Sequence, residues 1–175
     1  MVYFTGVNLD FTATTVSFTT LTAPTGYNGG GLYIDNSGYT NILVNGGTIA
    51  TPTAGSNGGF LYKKSGTTYA IDFRSLTITS SSATSGSGGF GYITSGSTAS
   101  TLNIQACSFT TTAAGVDGGL FYIAGTTPLT ITMPGTNVIS SATATNNGAV
   151  FSVNTASSLT MSVTLTSTLT NCIAS

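Results

Sequence analysis

The side chains that could do chemistry are few and scattered. Among 175 residues there are four aspartates (Asp10, Asp35, Asp72, Asp117), three cations (Lys63, Lys64, Arg74) and two cysteines (Cys107, Cys172), with no Glu, His or Trp. Without imidazole there is no histidine base and no histidine metal ligand. Glycoside hydrolysis needs two carboxylates across one bond, and lyase chemistry needs an acidic cluster around a metal with a base beside it. Counted from the Asn-Gly-Gly start of the repeat described below, the aspartates stand at offsets 12, 7, 15 and 0, so no two share a column. The expectation is a protein that is not an enzyme, with no catalytic residue, no metal site and no cofactor.

The charges read as local pairs. Asp35 and Lys64 share offset 7 in successive copies, and Asp72 and Arg74 face one side of one strand. Exposed ion pairs contribute roughly 0.2–1 kcal/mol each. The alternative is a register key for a neighbouring subunit. Cys107 and Cys172 lie two copies apart. Two strand spacings of about 4.8 Å exceed the ~7 Å limit on Cα separation in a disulfide, which predicts two free thiols.

Composition bounds the elements that hold these residues. Charged side chains are 4% of the chain, against roughly 25% in an ordinary soluble domain. Ser and Thr together number 58, and Gly adds 23. Three cations cannot neutralise a nucleic-acid backbone. Ser, Thr and Gly are poor helix formers, which excludes a helical bundle. An apolar content of 40%, with 17 Phe and Tyr, excludes disorder. No run approaches the ~20 apolar residues of a membrane span. The opening MVYFTGVNLD has neither a basic stretch nor a continuous apolar one, so no signal peptide is visible.

Internal self-similarity dominates the chain. NGGGLYI from Asn28, NGGFLYK from Asn57, SGGFGYI from Ser87, DGGLFYI from Asp117 and NGAVFSV from Asn147 start 29, 30, 30 and 30 residues apart. Extending the phase backwards makes MVYF the tail of an earlier copy, so copies start near residues 1, 28, 57, 87, 117 and 147. A short turn follows each start: DNSGYT, KKSGTT, TSGSTAS, AGTTP, NTASS. Then comes an alternating run, such as Ile42-x-Val44-x-x-Gly47-x-Ile49, Ile71-x-Phe73-x-x-Leu76-x-Ile78 and Leu102-x-Ile104-x-x-Cys107-x-Phe109; Leu159-x-Met161-x-Val163-x-Leu165 closes the series. Period-two alternation in β-branched and aromatic residues predicts strands, and the Gly/Ser/Thr/Asn clusters predict turns. A helix-free unit of about 30 residues cannot bury its apolar side alone, but stacked copies can. The expected fold is all-β: residues 1–175 as a single parallel β-helix, a β-solenoid of six coils of about 30 residues with three strands each. Gly29, Gly30, Gly58, Gly59, Gly88, Gly89, Gly118, Gly119 and Gly148 mark a bend where backbones crowd. The Asn28/Asn57/Ser87/Asp117/Asn147 column beside them suits a left-handed corner, with side chains bonding up the stack.

The aromatic columns carry the functional expectation. Tyr3, Tyr33, Tyr62, Tyr92 and Tyr122 share one column, broken by Ser152, and Phe60 and Phe90 stand two positions earlier. The alternate positions, Leu32, Leu61, Phe121 and then Ile34, Ile93, Ile123, are apolar too. A solenoid can bury only one face of a strand, so the tyrosine side is read as a stripe that needs covering. Candidate covers are a loop or flanking segment, another chain, or a sugar stacked on Tyr. Ser and Thr form columns as well, with Thr51, Ser80, Thr110, Ser140 and Thr170 in one and Thr53, Ser82, Thr112, Ala142 and Cys172 in another; outward Thr ladders suit ice binding but also suit any exposed strand.

The succession of GGxxY, a turn, LxIxxCxF and a polar loop, best seen in Leu102 to Phe109 followed by Gly118-Gly119-Leu-Phe-Tyr122, resembles the repeats of polymorphic outer membrane proteins and related surface adhesins. That resemblance implies a right-handed, pectin-lyase-like β-helix on a cell surface. The cysteine appears in one clear copy, and the asparagine that usually follows Phe in that family is absent here.

Solenoids need capped ends, and the chain opens directly on the apolar MVYF strand and closes within a loop. The expectation is a segment of a longer protein or a filament subunit. The function expected is structural: a building block of an extracellular or cell-surface filament, partnered by itself through end-to-end stacking and lateral packing. An adhesin or carbohydrate-binding rod using the tyrosine stripe, with glycans as partner, is the alternative, and ice binding by the Ser/Thr ladders comes after it. Neither nucleic acid nor a membrane span enters any of these readings.

Overall fold

The computed structural model describes residues 1–94, 98–125, 128–155, 158–163 and 167–175. The turns expected at 94–100, 124–128 and 154–158 fall partly outside these residues, as does Leu165. Strands, turns and bends make up the described chain, with no helix. Every strand pairing is parallel, between residues about one repeat apart, and the result is a β-solenoid of about five turns.

One face is a six-stranded sheet of Val2–Gly6, Leu32–Asn36, Leu61–Lys63, Gly91–Thr94, Phe121–Gly125 and Phe151–Thr155, in that order. The other two faces share long strands, Leu9–Thr19, Tyr39–Ala50 and Thr68–Ala83, which bend midway. In later coils the bend separates Ser100–Gln105 from Ser108–Ala114 and Leu129–Met133 from Val138–Ala144.

The bends have a local cause. Thr15, Gly46, Ser75, Ala106 and Gly135 all adopt positive φ, and so do Thr20, Thr51, Ser80, Thr111, Ser141 and Asn171. Each of these sets runs up the stack, one residue per coil. A single left-handed residue reverses the side-chain alternation, so inward residues on either side of it are three apart, as Phe73 and Leu76 are, and Ile78 and Ser81.

The third corner holds the glycines. Gly29, Gly58, Gly88, Gly118 and Gly148 have φ between +62° and +72°. The neighbouring Asn28, Asn57, Ser87, Asp117 and Asn147 do not, which corrects the expectation of a left-handed asparagine column. Their side chains do bond up the stack. Asn57 N donates to Asn28 Oδ1 at 2.9 Å, Ser87 N to Asn57 Oδ1 at 2.8 Å, and Asn147 N to Asp117 Oδ1 at 3.1 Å. The left-handed turn falls to glycine because it carries no Cβ penalty there, and asparagine is freed to serve as acceptor. Gly30, Gly59, Gly89 and Gly119 are needed for space. A Cβ on Gly89 would overlap the carbonyls of Gly119 and Ala113.

The core fills the tube. Ile42, Ile71, Leu102 and Ile131 stack in one fully buried column, and Ile49, Ile78, Phe109 and Ile139 in another. At its centre Phe90 lies parallel to Phe60 at 5.2 Å and edge-on to Phe73, Phe109 and Phe121 at 5.3–5.6 Å.

Candidate functional site

The six-stranded face carries the tyrosine column. Strand pairing aligns Tyr3, Tyr33, Tyr62, Tyr92, Tyr122 and Ser152 in unbroken register. Residues on either side point inward and are buried: Leu32 and Ile34, Leu61 and Lys63, Phe121 and Ile123. The tyrosines therefore point outward. Successive ring centroids are 4.8, 5.1, 5.2 and 5.0 Å apart, with interplanar angles of 20–31°. Each such pair contributes about 0.5–1.5 kcal/mol beyond its buried area. Tyr3 is 60% exposed at the edge of the stack, and the other four are half-buried. Burial is the main cause that holds the phenols of Tyr33, Tyr62 and Tyr92 above their ordinary pKa, while the Lys64 charge works against it at Tyr33 and Tyr62.

Phe60 and Phe90 do not belong to this stripe. Both are buried in the core, 1% and 0% exposed. The expectation counted period two back through residues that lie in the glycine bend, before the strands begin at Leu61 and Gly91. In that bend the alternation is broken, so Phe60 and Leu61 both point inward.

The Ser/Thr columns are also displaced from their expected places. Thr110 pairs with Thr79 and Ser140, not with Ser80. The left-handed set of Thr51, Ser80, Thr111 and Ser141 is a corner, not a flat face. Ser81 and Thr112, one residue further on, are buried; Ser81 Oγ donates to the Gly89 carbonyl at 2.7 Å, and Thr112 Oγ1 has no partner. A one-residue slip between coils accounts for the difference, since the spacing from Thr79 to Thr110 is 31.

The charges pair off. Lys64 Nζ lies 2.9 Å from Asp35 Oδ2, and Ser65 Oγ donates to Asp35 Oδ1 at 2.7 Å. The Lys64 hydrogen bond is the main cause that lowers the Asp35 pKa. Arg74 Nε donates to Asp72 Oδ2 at 2.8 Å, while Asn103 Nδ2 donates to Asp72 Oδ1 at 2.8 Å. Asp10 accepts from Asn41 at 2.8 Å, and Asp117 from Asn147 at 2.9 Å. The four aspartates stay in separate columns. Among the described residues, no three His, Cys, Asp or Glu gather to hold a metal. Both cysteines are free, Cys107 buried and Cys172 partly so.

One residue escaped sequence reasoning. Lys63 occupies the inward column between Ile34 and Ile93 and is fully buried. Its Nζ donates to the Ser65 carbonyl at 2.5 Å and the Thr94 carbonyl at 3.2 Å, and lies 5.4 Å above the Tyr69 ring. Burial pulls its pKa down to about 8. The signal was present, because Lys63 falls on the Ile34/Ile93/Ile123 phase of the repeat.

No protein-family model, curated protein or solved structure matches this sequence. The geometry is that of a β-solenoid compatible with β-helix repeat proteins. Its first coil also carries an apolar hollow of about 140 Å³, lined by Val2, Phe4, Leu9, Phe11, Leu32 and Ile34 together with Tyr3 and Tyr33.

Proposed function

We propose that the chain is a non-enzymatic structural element, a β-solenoid building block of a cell-surface or extracellular filament. The observation that carries this reading is the tyrosine ladder, on a face where the neighbouring charges, Asp35 and Lys64, are paired with each other. Asp35 is neutralised by Lys64 and Asp72 by Arg74, and Lys63 is buried. A neighbouring rod could approach this face with little charge desolvation, and an exposed apolar stripe of this kind is where association is favoured. The rings lie against one another, so their edges and hydroxyls face outward. That favours packing against another protein surface over stacking of a sugar on a ring face. The resemblance to polymorphic outer membrane protein-type repeats supports the surface location.

Replacing Tyr62, Tyr92 and Tyr122 together by Ser tests the reading. Ser152 already stands in this column, so circular dichroism should still report strand. Lateral association, followed by light scattering and electron microscopy, should weaken, since each buried aromatic contributes about 1.5–3 kcal/mol. A variant that folds and assembles like the parent would place the interface elsewhere.

A further inference from the structure

We propose that the tyrosine ladder is a site of oxidative modification, at which phenols of adjacent coils couple into dityrosine and staple the solenoid along its axis. The inference rests on the ladder alone and stands whether or not rods pack laterally.

Parallel in-register pairing sets Tyr33 over Tyr62, Tyr62 over Tyr92 and Tyr92 over Tyr122. With centroids 5.0–5.2 Å apart and planes within 31° of parallel, equivalent ring carbons face one another. The carbons ortho to the hydroxyl are where a phenoxyl radical carries spin. The backbone ladder holds those carbons close before any oxidation occurs, so coupling needs only a swing of the side chains. The rings reach solvent at their outer edges, which leaves them open to an oxidant.

The reaction balances with a peroxide as oxidant, delivered through a haem peroxidase. Each of two tyrosines gives up one electron and its phenolic proton. The two radicals join through a new Cε–Cε bond. Each of those carbons then releases its hydrogen as the phenol is restored. Two electrons and two protons leave per bond, and one hydrogen peroxide becomes two waters. Each bond closes a loop of about one 30-residue coil, which raises resistance to unfolding.

The chain contains its own controls. Tyr27 and Tyr39 are 63% and 45% exposed, yet among the described residues neither stacks on another tyrosine, and Tyr69 is buried. If accessibility alone governed oxidation, Tyr27 and Tyr39 would react before the half-buried Tyr33, Tyr62, Tyr92 and Tyr122.

Dispersed monomer treated with a haem peroxidase and hydrogen peroxide should gain dityrosine fluorescence, lose two hydrogens in mass per bond, and remain monomeric in denaturing electrophoresis. Peptide mapping should place the bonds between neighbouring ladder residues. Tyr33→Phe combined with Tyr92→Phe keeps a ring in every coil but leaves Tyr3, Tyr62 and Tyr122 two coils apart. Its circular dichroism should match the parent, and its intrachain dityrosine should fall at least tenfold. Undiminished yield in that variant, bonds at Tyr27 or Tyr39 as often as in the ladder, or no dityrosine at all would overturn the proposal. Covalent dimers without intrachain bonds would also overturn it, while leaving lateral packing of rods in place.

Discussion

Lys63 brings a charge into the core, and Lys63→Ile should stabilise the fold. Its column already carries Ile34, Ile93 and Ile123, so isoleucine has a template in three neighbouring coils. In the folded chain the ammonium is fully buried with two backbone carbonyls and the Tyr69 ring for company. Its pKa falls from 10.5 to about 8 because burial disfavours the charge. At about 1.4 kcal/mol per tenfold step, that gap corresponds to about 3 kcal/mol. Below pH 8 both folded and unfolded chains hold the proton, and the full cost is present. Between pH 8 and 10.5 the folded chain sheds it while the unfolded chain keeps it, so stability rises with pH across that window and levels off above it. Urea titration should therefore find the variant about 3 kcal/mol more stable than the parent near pH 7, with the advantage shrinking towards pH 10.5. Tyrosine ionisation at high pH acts on both proteins and cancels in the difference. A variant less stable than the parent at neutral pH, beside a parent whose stability is flat from pH 8 to 10.5, would show that the Lys63 charge is well solvated and refute the reasoning.

Other substitutions separate the causes of the fold. Gly89→Ala should cost about 3 kcal/mol or more by forcing coils apart, whereas Gly26→Ala, at φ +82° with open space around it, should cost only the 1–2 kcal/mol of a left-handed Cβ; urea denaturation compares them. Asn57→Ala removes both a donor to Asn28 and the acceptor of the Ser87 amide, and should lower stability by about 1–3 kcal/mol. Cys107, buried and with its thiol pushed up to about 11, should resist alkylation in the native chain while Cys172 reacts, and both should titrate after unreduced denaturation; loss of both thiols in a monomer would show the coil register to be wrong. Thr111→Gly should gain up to about 1 kcal/mol, the relief of a left-handed β-branched residue less the entropy glycine adds to the unfolded chain.

The coil was legible because its inward residues are large and its bend residues are glycine. Equivalent tyrosines stand one copy apart, and nothing in the chain competes with a period of about 30. The first bend of the long strands was visible too: Ile42, Val44 and then Gly47, or Ile71, Phe73 and then Leu76, carry a doublet where one residue is out of phase, and Gly46 and Ser75 are the left-handed residues in those doublets. The second corner was hidden. It separates Ile78 from Ser81, Phe109 from Thr112 and Ile139 from Ala142, where the residue after the bend is small or polar and gives no hydrophobic signal. Reading Ser and Thr there as outward ladders followed from their usual place on exposed strands.

The same corner explains how the chain tolerates left-handed threonines. A bend made by one residue keeps its neighbours in the parallel ladder, so Thr110 and Thr112 both stay paired with Thr79 and Ser81 while Thr111 turns the chain. Placing the bend over several residues would interrupt backbone hydrogen bonds in every coil, and buried unpaired amides cost about 1–3 kcal/mol each. Against that, about 1–2 kcal/mol of local strain per corner is the smaller cost, and it recurs once in each coil because the coils share one register. At the corner where strain and space coincide the left-handed residue is glycine in every coil, Gly29, Gly58, Gly88, Gly118 and Gly148: beside Gly88 and Gly118, a Cβ on the next residue, Gly89 or Gly119, would meet the backbone of the coil above. At the Thr111 corner the side chain is exposed, and Ser, Thr and Asn occupy all six positions of the column.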